Sequence, residues 1–282
     1  MNYLKQHWQQ IVISLAILLT LGIAVFQTVR QDRLTTPIAN INVRTGPNIN
    51  YQTKAILKKG QAVYIVQKKD NWYKVRYNDH QFGWVASWLI NQSGKIQTAT
   101  NLSEATIILD PGHGGSDSGA LSIDQKHDEK TYTLQLAKKV RNQLTARGAH
   151  VIMTRTGDQD VSLGARPELA TDNHADAFIS FHYDSSPSNN LGSGFTTYYY
   201  HANTSLKLAR TINQHLVGLP IENKGVEVGN FEVIRDNLRP ALLLEMGYIN
   251  TDKDFKAIES PTYQNKVAKD VTNGLSAYFE TK

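Results

Sequence analysis

The 282-residue chain contains no cysteine. That absence excludes disulfides, thiolate metal sites and a cysteine nucleophile, so any metal must be held by imidazole or carboxylate. It is compatible with an exported protein that uses no disulfides. Internal repeats and low-complexity tracts are also missing. Charge is absent from one long stretch: Ile11 to Val29 runs 19 positions without a charged residue. Such a run is long enough for one membrane-spanning helix. A core helix is a poor alternative, because no charge interrupts the run and it lies at the extreme N-terminus. A cleaved signal peptide fits less well than an uncleaved anchor, since the run exceeds an h-region and no Ala-x-Ala site precedes Arg30. The flanking charges, Lys5 on one side and Arg30 and Arg33 on the other, set orientation poorly.

The formal net charge of +5 conceals an asymmetry. Residues 30–100 carry 11 Lys/Arg against 3 Asp/Glu, whereas residues 101–282 carry 18 against 22. Positive charge next to the apolar run points to attraction by an anionic polymer or a membrane surface, with a merely solvated basic face as the alternative. Nucleic acid is not an expected partner of an exported domain.

Between Pro37 and Asn91 short strand-like runs alternate with turns. They are Ile41–Arg44, Ala62–Val66, Trp72–Tyr77 and Gly83–Val85. Alternation is clearest in Trp72–Tyr77, as in a half-buried strand. Asn42-Val43-Arg44-Thr45-Gly46-Pro47, Lys59-Gly60, Trp72-Tyr73-Lys74-Val75 and Gly83-Trp84-Val85 resemble a bacterial SH3 domain of the wall-binding kind. Trp72 and Trp84 read as core fillers. Asn91–Ser103 is polar and without periodicity, and reads as a linker.

The most informative stretch is Ile107 to Ala120. An apolar strand-type run ends in Asp110-Pro111-Gly112, and His113 follows at once among glycines and serines. Glycine there permits positive φ and leaves space around the imidazole. The carboxyl end of a buried strand is where open α/β sheets keep their chemistry. Three further segments extend the pattern. Glu129 opens a helical segment through Arg147, with Leu136, Val140 and Leu144 at helical spacing and Gly148 as its cap. Ala177–His182 is a second buried-type strand ending in histidine, and Ala241–Glu245 a third ending in glutamate. Two histidines and one glutamate form the ligand set of an open hydrolytic zinc site. The second glutamate is what such a site needs as a general base.

Asp110–Ala120, Glu129, Ser180–His182 and Glu245–Tyr248 resemble the motifs of zinc-dependent N-acetylmuramoyl-L-alanine amidases of the family 3 type. Val151–Arg155, then Leu163, Arg166 and Ala170 ahead of Asp176, and Asn250 after Tyr248 fit the same order. Two departures stand out: Thr171 in place of the family's usual Asn, and Tyr183-Asp184 where Asn is usual at the second position.

The resemblance implies an enzyme that cleaves the amide between N-acetylmuramic acid and L-alanine of the peptidoglycan stem peptide. Zn²⁺ would be held by His113, Glu129 and His182, with Glu245 as the proton-transferring group. Asp117 is expected beside the metal ligands, and Arg166 to orient substrate or a ligand carboxylate, or to form a helix-surface ion pair. His127 is the rival ligand. The cell-wall chemistry also implies a localisation at the cell membrane with the C-terminal body outside, or in the wall if the N-terminal segment is removed.

Strand-like runs at 106–110, 150–154, 177–182, 194–200 and 241–245 alternate with helix-like segments at 129–147, 163–173, 204–217 and 261–279. The pattern predicts an α/β domain with a largely parallel sheet covered on both faces. The expected organisation is an N-terminal segment 1–33, a small all-β SH3-like barrel 37–91, a linker 92–104 and the catalytic domain 105–282. Two other readings remain open on the sequence: a catalytically silent wall-binding regulator, and a metallopeptidase acting within the stem peptide.

Overall fold

The computed structural model describes residues 2–31, 33–92 and 94–281, without the side chains of residues 2–6 and 24–31. The chain divides into two compact units, Met1–Ser93 and Gly94–Lys282.

In the first unit helix α1 (Asn2–Gln31) precedes β1 (Arg33–Thr35), β2 (Ile41–Arg44), β3 (Thr53–Leu57), β4 (Ala62–Lys69), β5 (Trp72–Tyr77), β6 (Gln81–Ala86) and α2 (Ser87–Ile90). The six strands form one antiparallel sheet in the order β1-β4-β5-β6-β2-β3. Trp72 and Trp84 are buried, as expected of core fillers, and Val43, Leu57, Val63 and Val75 complete the interior. Two strands escape the sequence pattern. β1 lies ahead of residue 37, and β3 alternates with its outward Ile56 exposed.

The apolar run Ile11–Val29 lies within α1, but its residues 24–29 fall outside the described side chains. Among the described residues, no helix is long and apolar enough to cross a membrane. The anchor expected from sequence thus falls partly on residues whose side chains are not described.

The second unit contains β7 (Thr106–Pro111), α3 (Glu129–Ala146), β8 (His150–Met153), α4 (Ala165–Asp172), β9 (Ala177–Asp184), β10 (Phe195–Tyr199), α5 (Ala202–His215), β11 (Asn223–Val228), α6 (Glu232–Arg235), β12 (Ala241–Tyr248), α7 (Asp252–Ile258) and α8 (Pro261–Glu280). Its sheet has the order β11-β10-β12-β9-β7-β8. All pairings are parallel except β10 with β12, so the sheet is mixed and largely parallel. Ile108, Phe178 and Leu243 face α4 and α6 through Ala170, Val233 and Ile234. Their alternate neighbours Ile107, Leu109 and Ile179 are equally buried, and α3, α5 and α8 pack together against the opposite face. Both faces are thus covered, which is why the central strands read as unbroken apolar runs.

The supposed linker is partly structured. Leu102–Glu104 form a buried 3-10 turn, and Asn101 donates to the Phe279 carbonyl. Polar sequence concealed this packing, because Ser103 is satisfied locally by Thr100.

Candidate metal centre

Strand register brings two of the predicted residues together. His182 on β9 lies directly opposite Glu245 on β12. Period-two alternation from Phe178 and Leu243 sends both side chains to the same sheet face. One strand further, Asp110 pairs with Ser180, and Pro111 ends β7 opposite Phe181. The chain then leaves the sheet after one last bond, Gly112 N–H to the Phe181 carbonyl.

The turn that follows presents His113 at φ +60°, a left-handed conformation rare outside glycine. Close approach explains the adjacent glycine: a Cβ on Gly112 would collide with the His182 ring. Gly119, at φ +68°, lies equally close to the Glu129 carboxylate and the His113 ring. Glycine is therefore required at both positions for space, and at Gly119 for conformation as well.

Glu129 occupies the first position of α3, where free N–H groups favour a carboxylate. Its Oε2 lies 3.0 Å from His113 Nε2 and its Oε1 3.0 Å from His182 Nδ1. The backbone N–H groups of Ala120 and Tyr183 donate to the same two oxygens, each at 2.9 Å. Candidate ligand atoms of His113, Glu129 and His182 all lie within 4.8 Å of one another. Asp117 Oδ2 takes His113 Nδ1 at 2.8 Å, an arrangement that fixes the ring and leaves Nε2 for a metal.

The electrostatics of the two glutamates diverge. Burial alone would raise the Glu129 carboxyl, but hydrogen bonds and charges from His113 and His182 outweigh it and hold the group well below the usual carboxylate range. Glu245 is raised well above that range, by burial first and then by the negative charges of Glu129 and Asp184. Its Oε2 is buried without a hydrogen-bond partner. A buried carboxylate oxygen left unpaired beside a three-donor cluster fits a site built to receive a cation and a polar substrate atom. Both glutamates border an open cavity of about 730 Å³, also lined by Asp117, Asp184, Phe231 and Arg235.

His113, Glu129, His182, Asp117 and Glu245 are thus gathered at one place, whereas two other residues stand apart from the cavity. Arg166 is not the helix-surface residue that was one alternative; it supports the turn that carries His113. It is 3 % exposed, pairs with Asp110 at 2.7 Å and donates to the Pro111, His113 and Val161 carbonyls. Helical spacing alone could not distinguish that buried role from a surface one. His127 lies outside the three-ligand group, with Nδ1 3.1 Å from the Tyr132 hydroxyl and its ring against Phe255. Phe231 and Arg235 carried no sequence signal, because they sit on a short helix and the loop before it.

Comparison with known proteins agrees with this geometry. Residues 107–277 match the N-acetylmuramoyl-L-alanine amidase family, and residues 39–91 match the bacterial SH3 domain. The chain is 35% identical over 291 residues to "Probable cell wall amidase LytH" of Staphylococcus saprophyticus subsp. saprophyticus, covering 99% of this chain and 98% of that protein. The protein of the same name from Staphylococcus aureus is 37% identical over 247 residues, 85% of this chain and 82% of its own length. Among solved structures, the catalytic domain of CwlV, an amidase from Bacillus (Paenibacillus) polymyxa var. colistinus, superposes with a TM-score of 0.60. It is 33% identical and covers 63% of this chain and 99% of that domain. The N-acetylmuramoyl-L-alanine amidase from Clostridium difficile 630 gives 0.61 at 33% identity, covering 63% and 98%. The chain belongs to the N-acetylmuramoyl-L-alanine amidase family and is a peptidoglycan hydrolase.

Proposed function

We propose that the amidase works with one zinc ion held by His113, Glu129 and His182, and that Glu245 moves the proton. The observation that carries this reading is the unpartnered, buried Glu245 Oε2 beside three converging imidazole and carboxylate donors. Nitrogen and carboxylate donors without thiolate suit a catalytic zinc with an open position. When bound, zinc would polarise the scissile carbonyl and lower the pKa of a coordinated water towards about 7.

The chain's own residues supply the rest. Asp117 holds the His113 ring, and the Ala120 and Tyr183 N–H groups hold the Glu129 carboxylate in place. Glu245 accepts the proton of the attacking water and delivers it to the departing amine nitrogen. Burial and the neighbouring carboxylates raise its affinity for a proton, which suits a group that takes one from water before passing it on. The bond cleaved is the amide joining the lactyl group of N-acetylmuramic acid to L-alanine. Incubating purified peptidoglycan with the protein and identifying the new chain ends tests the bond. Free N-terminal L-alanine is expected, and new ends within the stem peptide would instead mean a peptidase. Metal analysis of the purified enzyme, then chelation and reloading, tests the ion.

The basic N-terminal unit supports a second element of the reading: it holds the enzyme on the wall by charge, towards anionic polymers. Residues 11–23 of α1 expose a run of leucine, isoleucine and valine. Together with the uncharged continuation to Val29, this supports anchoring in the cell membrane with the catalytic unit outside. Retention of the first residues in the mature protein, and sedimentation with membranes after high-salt washing, are the expected results. A mature N-terminus beyond residue 25, with protein in the medium, would mean cleavage.

A further inference from the structure

The three ligand-bearing segments are His113 on a turn, Glu129 at a helix start and His182 on a strand. They belong to different elements, yet a single polar cluster touches all of them. Two arginines form it, Arg155 after β8 and Arg166 on α4, 1 % and 3 % exposed. Arg155 donates to the Pro111 carbonyl at 3.1 Å and the Gly112 carbonyl at 2.7 Å. Arg166 donates to the Pro111 and His113 carbonyls, both at 3.0 Å. Three successive carbonyls leading to and including His113 therefore accept from guanidinium groups. The reason is local: the sheet ladder ends at Gly112, and carbonyls buried beyond it need other donors.

The same guanidinium groups reach the other two ligands' segments. Arg155 Nη2 also donates to the Lys130 carbonyl at 2.8 Å and to Thr133 Oγ1 at 3.0 Å, in the first turn of the helix that starts at Glu129. Thr133 in turn donates to the Gly112 carbonyl at 2.9 Å. Arg166 pairs with Asp110 Oδ1 at 2.7 Å, and Asp110 Oδ2 accepts the Ser180 hydroxyl at 2.8 Å, two residues before His182. Only a planar fork with several fixed N–H groups can serve this many acceptors at once. Lysine keeps the charge but not that geometry.

We propose that Arg155 and Arg166 are a paired positioning device for the metal site. Arg155 ties the His113 turn to the Glu129 helix, and Arg166 ties it through Asp110 to the His182 strand. The ligand atoms are thereby gathered before the metal arrives. Neither arginine lines the cavity that Glu129 and Glu245 border. The device rests on the three-ligand reading given above, and it predicts how tightly the metal is held.

The test is a competition titration of zinc against a chromophoric chelator, on metal-free full-length protein, with thermal unfolding of the same metal-free samples. Arg155→Lys and Arg166→Lys should each weaken zinc binding by about 10–100-fold, the usual cost of removing a group that orients a metal ligand. Ser180→Ala and Thr133→Val remove one tether each with little change of shape. They should weaken binding by about two- to tenfold, the worth of one hydrogen bond. If the lysine variants do not fold, these two carry the test.

Leu275→Ala is the control. It opens a cavity in α8, where Thr272 and Asn273 contact Arg147 at the end of α3 remote from Glu129. It should lower the unfolding temperature and leave zinc affinity unchanged. Tether variants that bind zinc like the wild type overturn the proposal. So does a Leu275→Ala variant that loses as much affinity for the same loss of stability, since ligand geometry would then follow general stability. A wild type that takes up no zinc overturns the metal reading itself, and this proposal with it.

Discussion

The two sides of the catalytic cavity are built by different means. On the turn side, His113, Asp117 and Glu129 lie on loop and helix-start backbone, and the side-chain polar atoms described for them all have partners. On the strand side, His182 and Glu245 are placed by β-register alone, and Glu245 ends in an oxygen with no partner. The two glutamates are both buried, so burial is not what separates them. Compensation is. Two imidazoles and two N–H groups face Glu129 and lower its pKa, whereas burial and the negative charges of Glu129 and Asp184 raise that of Glu245. On the reading proposed above, one side binds and the other reacts.

The sharpest way to break this comparison is to exchange one glutamate at a time. Glu245→Gln preserves shape and removes the proposed proton carrier. Turnover on peptidoglycan should fall by about 10²–10⁴-fold, with zinc still near full stoichiometry. Glu129→Ala should show the opposite pattern. Zinc is lost on purification, the fold persists because the domain has its own core, and excess zinc restores part of the activity. Metal analysis and turnover measured on both variants decide the assignment; a zinc-free Glu245→Gln beside a zinc-loaded Glu129→Ala would reverse it.

A smaller effect is expected one step out. Asp117→Ala leaves all three ligands but frees the His113 ring, and should weaken zinc binding by about 10–100-fold in a chelator titration. Restored metal should return most of the turnover. If Asp117→Ala instead lost turnover at full zinc occupancy, Asp117 would belong with Glu245 on the reacting side.

The smallest catalytic effect belongs to the basic N-terminal unit. Removing residues 33–92 should weaken binding to purified walls while sparing hydrolysis of small soluble substrates. Wall binding of the intact protein should fall as salt rises, because exposed charges are screened within about 8 Å at physiological ionic strength. Pull-down on walls across a salt series reads both. Binding indifferent to deletion and to salt would move wall recognition into the catalytic unit.

Much of the site was legible because catalysis needs residue types that a core does not supply. A histidine or glutamate ending an apolar strand is conspicuous, and so is a run of glycines around His113. Strands read as unbroken apolar runs were found for the same reason: both sheet faces are covered. The residues that escaped are those whose meaning lies in a partner distant in sequence. β11 is an exposed edge strand of Lys, Gly and Glu, held by pairing with β10 and not by its own apolar pattern. Ser103 and Glu104 look like linker but are buried. Arg166 has the spacing of a surface helix residue and the surroundings of a core one.

By itself the sequence determined the residue types at the cavity, the alternation of strands and helices, and the separation of a basic β unit from an acidic α/β unit. Those properties depend on neighbours close along the chain, through backbone propensity, side-chain period and charge. Only the tertiary structure decided that Glu129 is compensated and Glu245 is not, that His127 stands outside the ligand group, and that two buried arginines hold the turn carrying His113. Such decisions depend on distances between segments about 10 to 130 residues apart in the sequence. Desolvation and hydrogen-bond geometry act across those gaps only after the sheet has set its register.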